Sequence, residues 1–443
     1  MKTDRYGNPV STPSATALAR YDEALELIRL YHGDPIAALD AALAEDPRFA
    51  AAWAARAAVL VQQQDAAYLP EARRSIAEGL AVAASARDRS MLAACTDWAA
   101  GRVGAAVAGF TAIAREAPRD LLALQTAHVG HFYLGRATDL RDAPLQALRA
   151  WDERDPAYHS LLGMAAFGLE ECGDYAGAEA MGRRAVDLDP RDGWAVHAVA
   201  HVHEMLGQTA EGIAWLTDQP EALAQINGFA YHNWWHLALL HLDRGDHDAV
   251  LALYDRKVRP DPSADVMLEW IDASALLWRL RLEGVDVGDR FEPLADCWLR
   301  ALDQRIYAFN DLHALMALLG AGRRIEAAGL LANVARAAGG CGDNAVMAAR
   351  VGLPLAGAFV DHVEGRHAAA VEAILAVRGS AQRFGGSHAQ RDVLTLTAFH
   401  AALVGGMTGT ARALAHERIT HKPESVWARR LVALANDKIR AAA

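Results

Sequence analysis

The 443-residue sequence is poor in cysteine: Cys95, Cys172, Cys297 and Cys341 are its four, far apart and without a Cys-x-x-Cys pair. That spacing suits a reducing compartment and excludes a disulfide framework, a zinc finger or a thioredoxin-like site. No long basic run occurs and the formal net charge is −11, so neither nucleic acid nor an anionic membrane surface is expected as a partner. No apolar run of the roughly 18 residues that a membrane span needs stands out, and no transmembrane helix is expected. Residues 1–14 contain two prolines and lack an apolar signal core, so secretion is not indicated and a cytoplasmic location is expected. Stretches of strict alternation long enough to build a sheet are also missing.

What is there is helix-forming and apolar. Hydrophobic residues make up 53 % of the chain and charged residues 22 %, enough to bury a large core. A recurrent unit runs through it: an amphipathic helix, an acidic or small residue, a proline and another helix, clearest at Asp46-Pro47, Ala117-Pro118, Asp155-Pro156 and Asp189-Pro190. The last two prolines are separated by the tetratricopeptide period. Ala178 and Ala185, and before them Ala106 and Phe110, sit where such a repeat needs close helix contact. Gly173-Asp174 and Gly245-Asp246 mark turns between the two helices of a unit, with the glycine as a left-handed cap.

This pattern predicts an all-α, tetratricopeptide-like helical-repeat solenoid, a right-handed superhelix of helix-turn-helix units. A flexible arm over 1–14 would precede a single array over 15–443. First helices are expected near 120–135, 157–172, 193–206, 227–243, 264–282, 306–319, 345–364 and 388–404, with an insert at 283–291 and a glycine-rich turn at 339–342. In a two-helix solenoid the first helices face the concave side.

The chemistry-bearing residues fall on these first helices. Residues 192–241 hold six histidines, at 197, 201, 203, 232, 236 and 241. Helical spacing puts Trp194, His197, His201 and Glu204 on one face, opposite Val196, Val199 and Val202. His128 and His131 form an earlier pair, and Asp272, Asn310, Asp311 and His313 lie on later first helices. Repeat geometry therefore directs them toward one groove. His197, His201, Glu204, His232, His236 and Asp272 are the candidates for acid/base chemistry, histidine acting as base and carboxylate as orienting partner. Trp194, Asn233, Trp235, Asn310, Asp311, His313 and Arg391 are the candidate ligand contacts.

Each signal has a plainer counterpart. The i, i+4 pairs His197/His201 and His232/His236 have the spacing of metal ligands, completed by Glu204 or Asp272. No His-Glu-x-x-His occurs, however, and His201-x-x-Glu204 reverses the order found in di-iron bundles. No metal ligand or cofactor is assigned, and the histidines can equally satisfy neighbouring carboxylates and carbonyls. His203, off that stripe, is expected to make a core hydrogen bond. Trp234, Trp270 and Trp278 read as core filler or stacking surfaces, while Ser274 and Cys172 are candidate nucleophiles by position alone, with no nucleophile elbow around them. Gly385-Gly386-Ser387 before a helix can be an anion nest with Arg391. The reading favoured here is a capping box of Ser387 and Gln390.

Several stretches in order along nearly the whole chain resemble the tetratricopeptide repeat protein 38 family: 132–135 (Phe-Tyr-Leu-Gly), 192–205, 232–236 (His-Asn-Trp-Trp-His), 282–288, 309–313, 351–355 and 385–392. The resemblance implies a helical-repeat fold of soluble, cytoplasmic proteins and carries over no activity. The expected function is a His/Asp/Glu/Trp-lined concave pocket that binds a small molecule or a peptide, with hydrolytic chemistry an option. The alternative is a non-catalytic protein–protein interaction scaffold. Pairing of exposed second helices into a homo-oligomer is left open.

Overall fold

The structure is a computed structural model and describes residues 2–224 and 226–442, with side chains to Arg440. The described residues form twenty-four α-helices and one two-stranded antiparallel hairpin, Lys2–Thr3 with Pro9–Val10. The architecture is an all-α, tetratricopeptide-like helical-repeat solenoid, built of helix pairs such as Tyr158–Glu171 with Tyr175–Leu188 and Ala308–Gly320 with Arg324–Ala338. The expected first helices appear at Leu121–Tyr133, Tyr158–Glu171, Gly193–Leu206, Ala230–Arg244, Met267–Leu282, Ala308–Gly320, Asp343–Val363 and His388–Val404. Gly173 and Gly245 hold φ of 82° and 80°, and Asp174 and Asp246 cap the helices that follow by accepting from Gly177 N and Ala249 N. Ala106, Phe110, Ala178 and Ala185 are all fully buried.

Residues 2–10 form the hairpin. Asp4 accepts from the amides of Tyr6 and Asn8 at 3.0 and 2.8 Å, which folds the hairpin and buries Tyr6 and Val10. Arg119 Nε donates to Tyr6 O at 3.0 Å, and the Tyr6 ring packs on Trp151. The helical run Asp343–Val363 is long and apolar enough to cross a membrane by length and composition, with a mean hydropathy of 1.3. It packs on the 308–320 and 324–338 helices, and core helices meet the same criterion.

The chain forms two compact units. The first comprises 1–199 and 220–230 and the second 200–219 and 231–443, the boundary falling inside the Gly193–Leu206 helix. Each unit closes on itself. In the first, Gly33 N donates to Ile226 O and Gly228 N to Tyr31 O, so the end of the Ala15–Leu30 helix meets residues 226–229. In the second, Asp243 accepts from Val426 N at 2.9 Å and from the Ser425 hydroxyl.

First and second helices differ sharply in burial. The Tyr158–Glu171 helix buries 13 of its 14 residues, whereas its partner Tyr175–Leu188 buries 4 of 14. The 308–320 helix buries 12 of 13 and Arg324–Ala338 buries 5 of 15. A helix buried all round has its polar side chains in the core, where each needs a partner.

Candidate functional site

The second unit gathers five of the predicted residues. Its portion of the Gly193–Leu206 helix supplies His201 and Glu204, the Ala230–Arg244 helix His232 and His236, and the Met267–Leu282 helix Asp272. His232 Nδ1 lies 2.7 Å from Asp272 Oδ2, and His236 Nδ1 lies 3.0 Å from Glu204 Oε2. The ring centroids of His201 and His236 are 4.5 Å apart, and those of His232 and His236 are 4.9 Å apart. His201, His236 and Asp272 are 0 % exposed. Trp235, also fully buried, stacks on His232 at 5.3 Å, and the Arg279 guanidinium lies 5.6 Å from the Trp235 ring centroid. Asn233 is buried on the same helix.

Burial governs the protonation of this cluster. It pushes His236 down to about 3, aided by the adjacent His201 ring and opposed by Glu204. Burial also pushes the Glu204 carboxyl up, but Lys422, whose Nζ donates to Oε1 at 3.5 Å, and His236 outweigh it and hold it below the carboxylate range. Asp272 is raised by burial, against the pull of His232. Arg279 is brought down to about 10 by burial and donates to the carbonyls of Ala389 and Ala275 at 2.8 and 3.1 Å. Near neutral pH the cluster therefore pairs a neutral His236 with an ionised Glu204.

The cavity at Glu204 is small. The cavity lined by Glu204, Asp243, Arg279, Arg418, Lys422 and Trp427 leaves about 20 Å³ for a solvent-sized occupant, which is room for a water and not for an organic substrate.

His197 and Trp194 belong to the first unit, in an aromatic cluster: Trp194 lies 5.1 Å from Phe167 and 5.2 Å from Phe229, and His197 lies 5.3 and 5.1 Å from the same rings. Asn310 and Asp311 line a second, smaller cavity with Met267, Trp298 and Tyr307, and none of the clustered histidines borders it. His313 Nδ1 donates to Phe309 O at 2.8 Å, and burial pulls it down to about 4. Ser387 and Gln390 form the capping box, and Arg391 donates back to Gly386 O. Ser274 accepts from Trp298 Nε1 at 2.9 Å and donates to Trp270 O at 2.6 Å, so its hydroxyl is committed. Burial pushes the Cys172 thiol up, away from the thiolate a nucleophile needs. His203 faces Gln208 at 3.1 Å, as a core hydrogen bond requires. Trp278 donates to Thr397 and stacks on Phe359 as core.

Sequence reasoning missed several participants. Arg279 follows Asp272 by seven residues, two turns along one helix face, and that spacing was a usable signal. Lys422 and Asp243 are distant in sequence and gave none. In the first unit, His159 Nδ1 lies 2.6 Å from Asp192 Oδ2, with Ser160 and Arg29 alongside. Apart from that pair, the first unit has a cavity of about 180 Å³ whose lining includes Thr111, Arg115, His131, Asp139 and Asp142.

These features define the class: a helical-repeat protein of tetratricopeptide-like architecture carrying buried histidine–carboxylate clusters and an aromatic cluster. The chain matches no protein-family model. It aligns with the Cut9–Hcn1 hetero-tetramer of the APC/C at 13 % identity and a TM-score of 0.45, over 94 % of this chain and 70 % of that one. The yeast Tom70 structure aligns at 12 % identity and a TM-score of 0.35, over 96 % of each chain. The human IFIT1 dimer with m7Gppp-AAAA aligns at 13 % and 0.41, over 98 % of this chain and 96 % of that one. At these identities the likeness is one of fold alone.

Proposed function

We propose that this chain is a non-catalytic binding protein, a helical-repeat scaffold that holds a protein or peptide partner on the exposed faces of its second helices. The observation that carries the reading is the burial of His236, His232 and Asp272 inside the second unit, with Glu204, 10 % exposed, lining a cavity with room for a water. A general base must come within hydrogen-bond reach of its substrate, and an organic substrate does not fit there. The ordered motifs at 192–205, 232–236, 309–313 and 385–392 support placing the chain in the tetratricopeptide repeat protein 38 family.

The test uses the purified full chain against arrayed peptides and against reporter esters, amides and phosphodiesters. The expected result is saturable peptide binding that His236→Gln leaves unchanged, with no turnover of any reporter. Turnover that is proportional to protein and lost in His236→Gln would overturn the proposal.

A second reading, small-ligand binding, is favoured by the first unit's 180 Å³ cavity. His131 there is buried, its Nε2 3.1 Å from Thr111 Oγ1, and burial holds it down to about 4, so it would meet a ligand as neutral imidazole.

A further inference from the structure

His201, His232 and His236 each bring a ring nitrogen to within 4.8 Å of the others. Two of the three lie one turn apart on the Ala230–Arg244 helix, and the third comes from a different helix. A tetrahedral zinc with bonds of roughly 2.0–2.1 Å keeps its donors within that 4.8 Å of one another.

The surroundings of the rings carry the argument further. His232 and His236 each direct Nδ1 at a carboxylate, Asp272 at 2.7 Å and Glu204 at 3.0 Å. A neutral imidazole that donates from Nδ1 keeps its lone pair on Nε2, so the carboxylates fix the tautomer that ligates through Nε2. A carboxylate behind each ligating histidine is the usual outer shell of a protein metal centre, where it orients the ring and raises its basicity. The carboxylates are oriented in turn: Glu204 by Lys422, and Asp272 within the field of Arg279. Three imidazole nitrogens suit a borderline divalent first-row ion and disfavour magnesium and calcium.

We propose that His201, His232 and His236 bind a divalent transition ion of the zinc class, with Asp272 and Glu204 as positioning residues for His232 and His236. Because the rings are enclosed, the ion enters as the second unit folds, and its binding energy adds to folding stability. This inference does not depend on the partner-binding proposal: a structural ion is compatible with a scaffold and with an enzyme.

The experiment uses the full chain, unfolded in denaturant with chelator and refolded with and without Co²⁺ or Zn²⁺. One ion per chain by elemental analysis, the visible bands of tetrahedral Co²⁺ and a higher melting temperature with Zn²⁺ are expected. Asp272→Asn keeps all three ligands and should weaken Co²⁺ binding about 10- to 100-fold, whereas His241→Gln, outside the cluster, should bind as the parent does. Absence of the Co²⁺ bands together with a melting temperature indifferent to Zn²⁺ overturns the proposal, and this comparison needs no variant to fold. Equal Co²⁺ affinity in the parent and in His236→Gln overturns it as well.

Discussion

Burial is what acts on the Asp311 carboxyl, and it pushes the group up to about 7. The consequence for stability follows from linkage. Below the unfolded value of 3.8, both states are protonated and the group is neutral to folding. As pH rises past that value the unfolded chain releases the proton and the folded chain does not, so stability declines until the folded group also ionises. Asp311→Asn removes this dependence. The variant should exceed the parent in stability at about pH 8, and the gap should close toward about pH 4, as read from urea denaturation at both. A gap independent of pH would mean that Asp311 is ionised in the fold. The same desolvation keeps His236 neutral beside Glu204, so the residues richest in chemical potential are those least able to meet solvent.

At the scale of the helix pair, close approach is set by small side chains. A Cβ added at Gly168 would lie 2.3 and 2.4 Å from the backbone of Arg141, because the Tyr158–Glu171 helix crosses Ala137–Ala147 backbone to backbone. Backbone cannot rotate aside as a side chain can. Gly168→Ala should therefore destabilise by about 2–4 kcal/mol. Gly357 is the contrast: it lies within the Leu353–Val363 helix, where an added Cβ meets nothing within 4 Å. Gly357→Ala should stabilise by about 0.5–1 kcal/mol, by reducing the entropy of the unfolded chain. Urea midpoints of the two variants check both signs together.

For the molecule as a whole, each unit is held closed by a few long-range polar contacts, and Asp243 is the clearest. Its carboxylate accepts from Val426 N at 2.9 Å, from the Ser425 hydroxyl and from Thr209 Oγ1 at 3.2 Å. It thereby helps to cap the Val426–Ala442 helix from the far side of the unit's sequence. Asp243→Ala leaves those donors without their acceptor. Hydrogen exchange should then accelerate in the 426–442 helix while the Met267–Leu282 helix keeps its protection. Equal acceleration in both would show that closure of the second unit is a single cooperative event.

Much of this was legible in the sequence, and the division has a physical cause. Helix positions follow from local signals, periodicity, proline and Gly-Asp turns, which act within a few residues; hence Asp189-Pro190 and Gly173-Asp174 marked real boundaries. The Ser387–Gln390 capping box and the core hydrogen bond of His203 were likewise local. The i, i+4 spacing placed His232 and His236 together on one helix face. Tertiary structure alone decided what surrounds them. Repeat geometry sends first helices inward, but whether the inner side is wet depends on how tightly the array curls, a sum of small packing angles that no local pattern encodes. Here the curl brings residues 422–430 back to 204–243, and it turns residues expected to face a groove into buried pairs. Lys422 beside Glu204, and the gathering of His201 with His232 and His236 from two helices, are products of that closure.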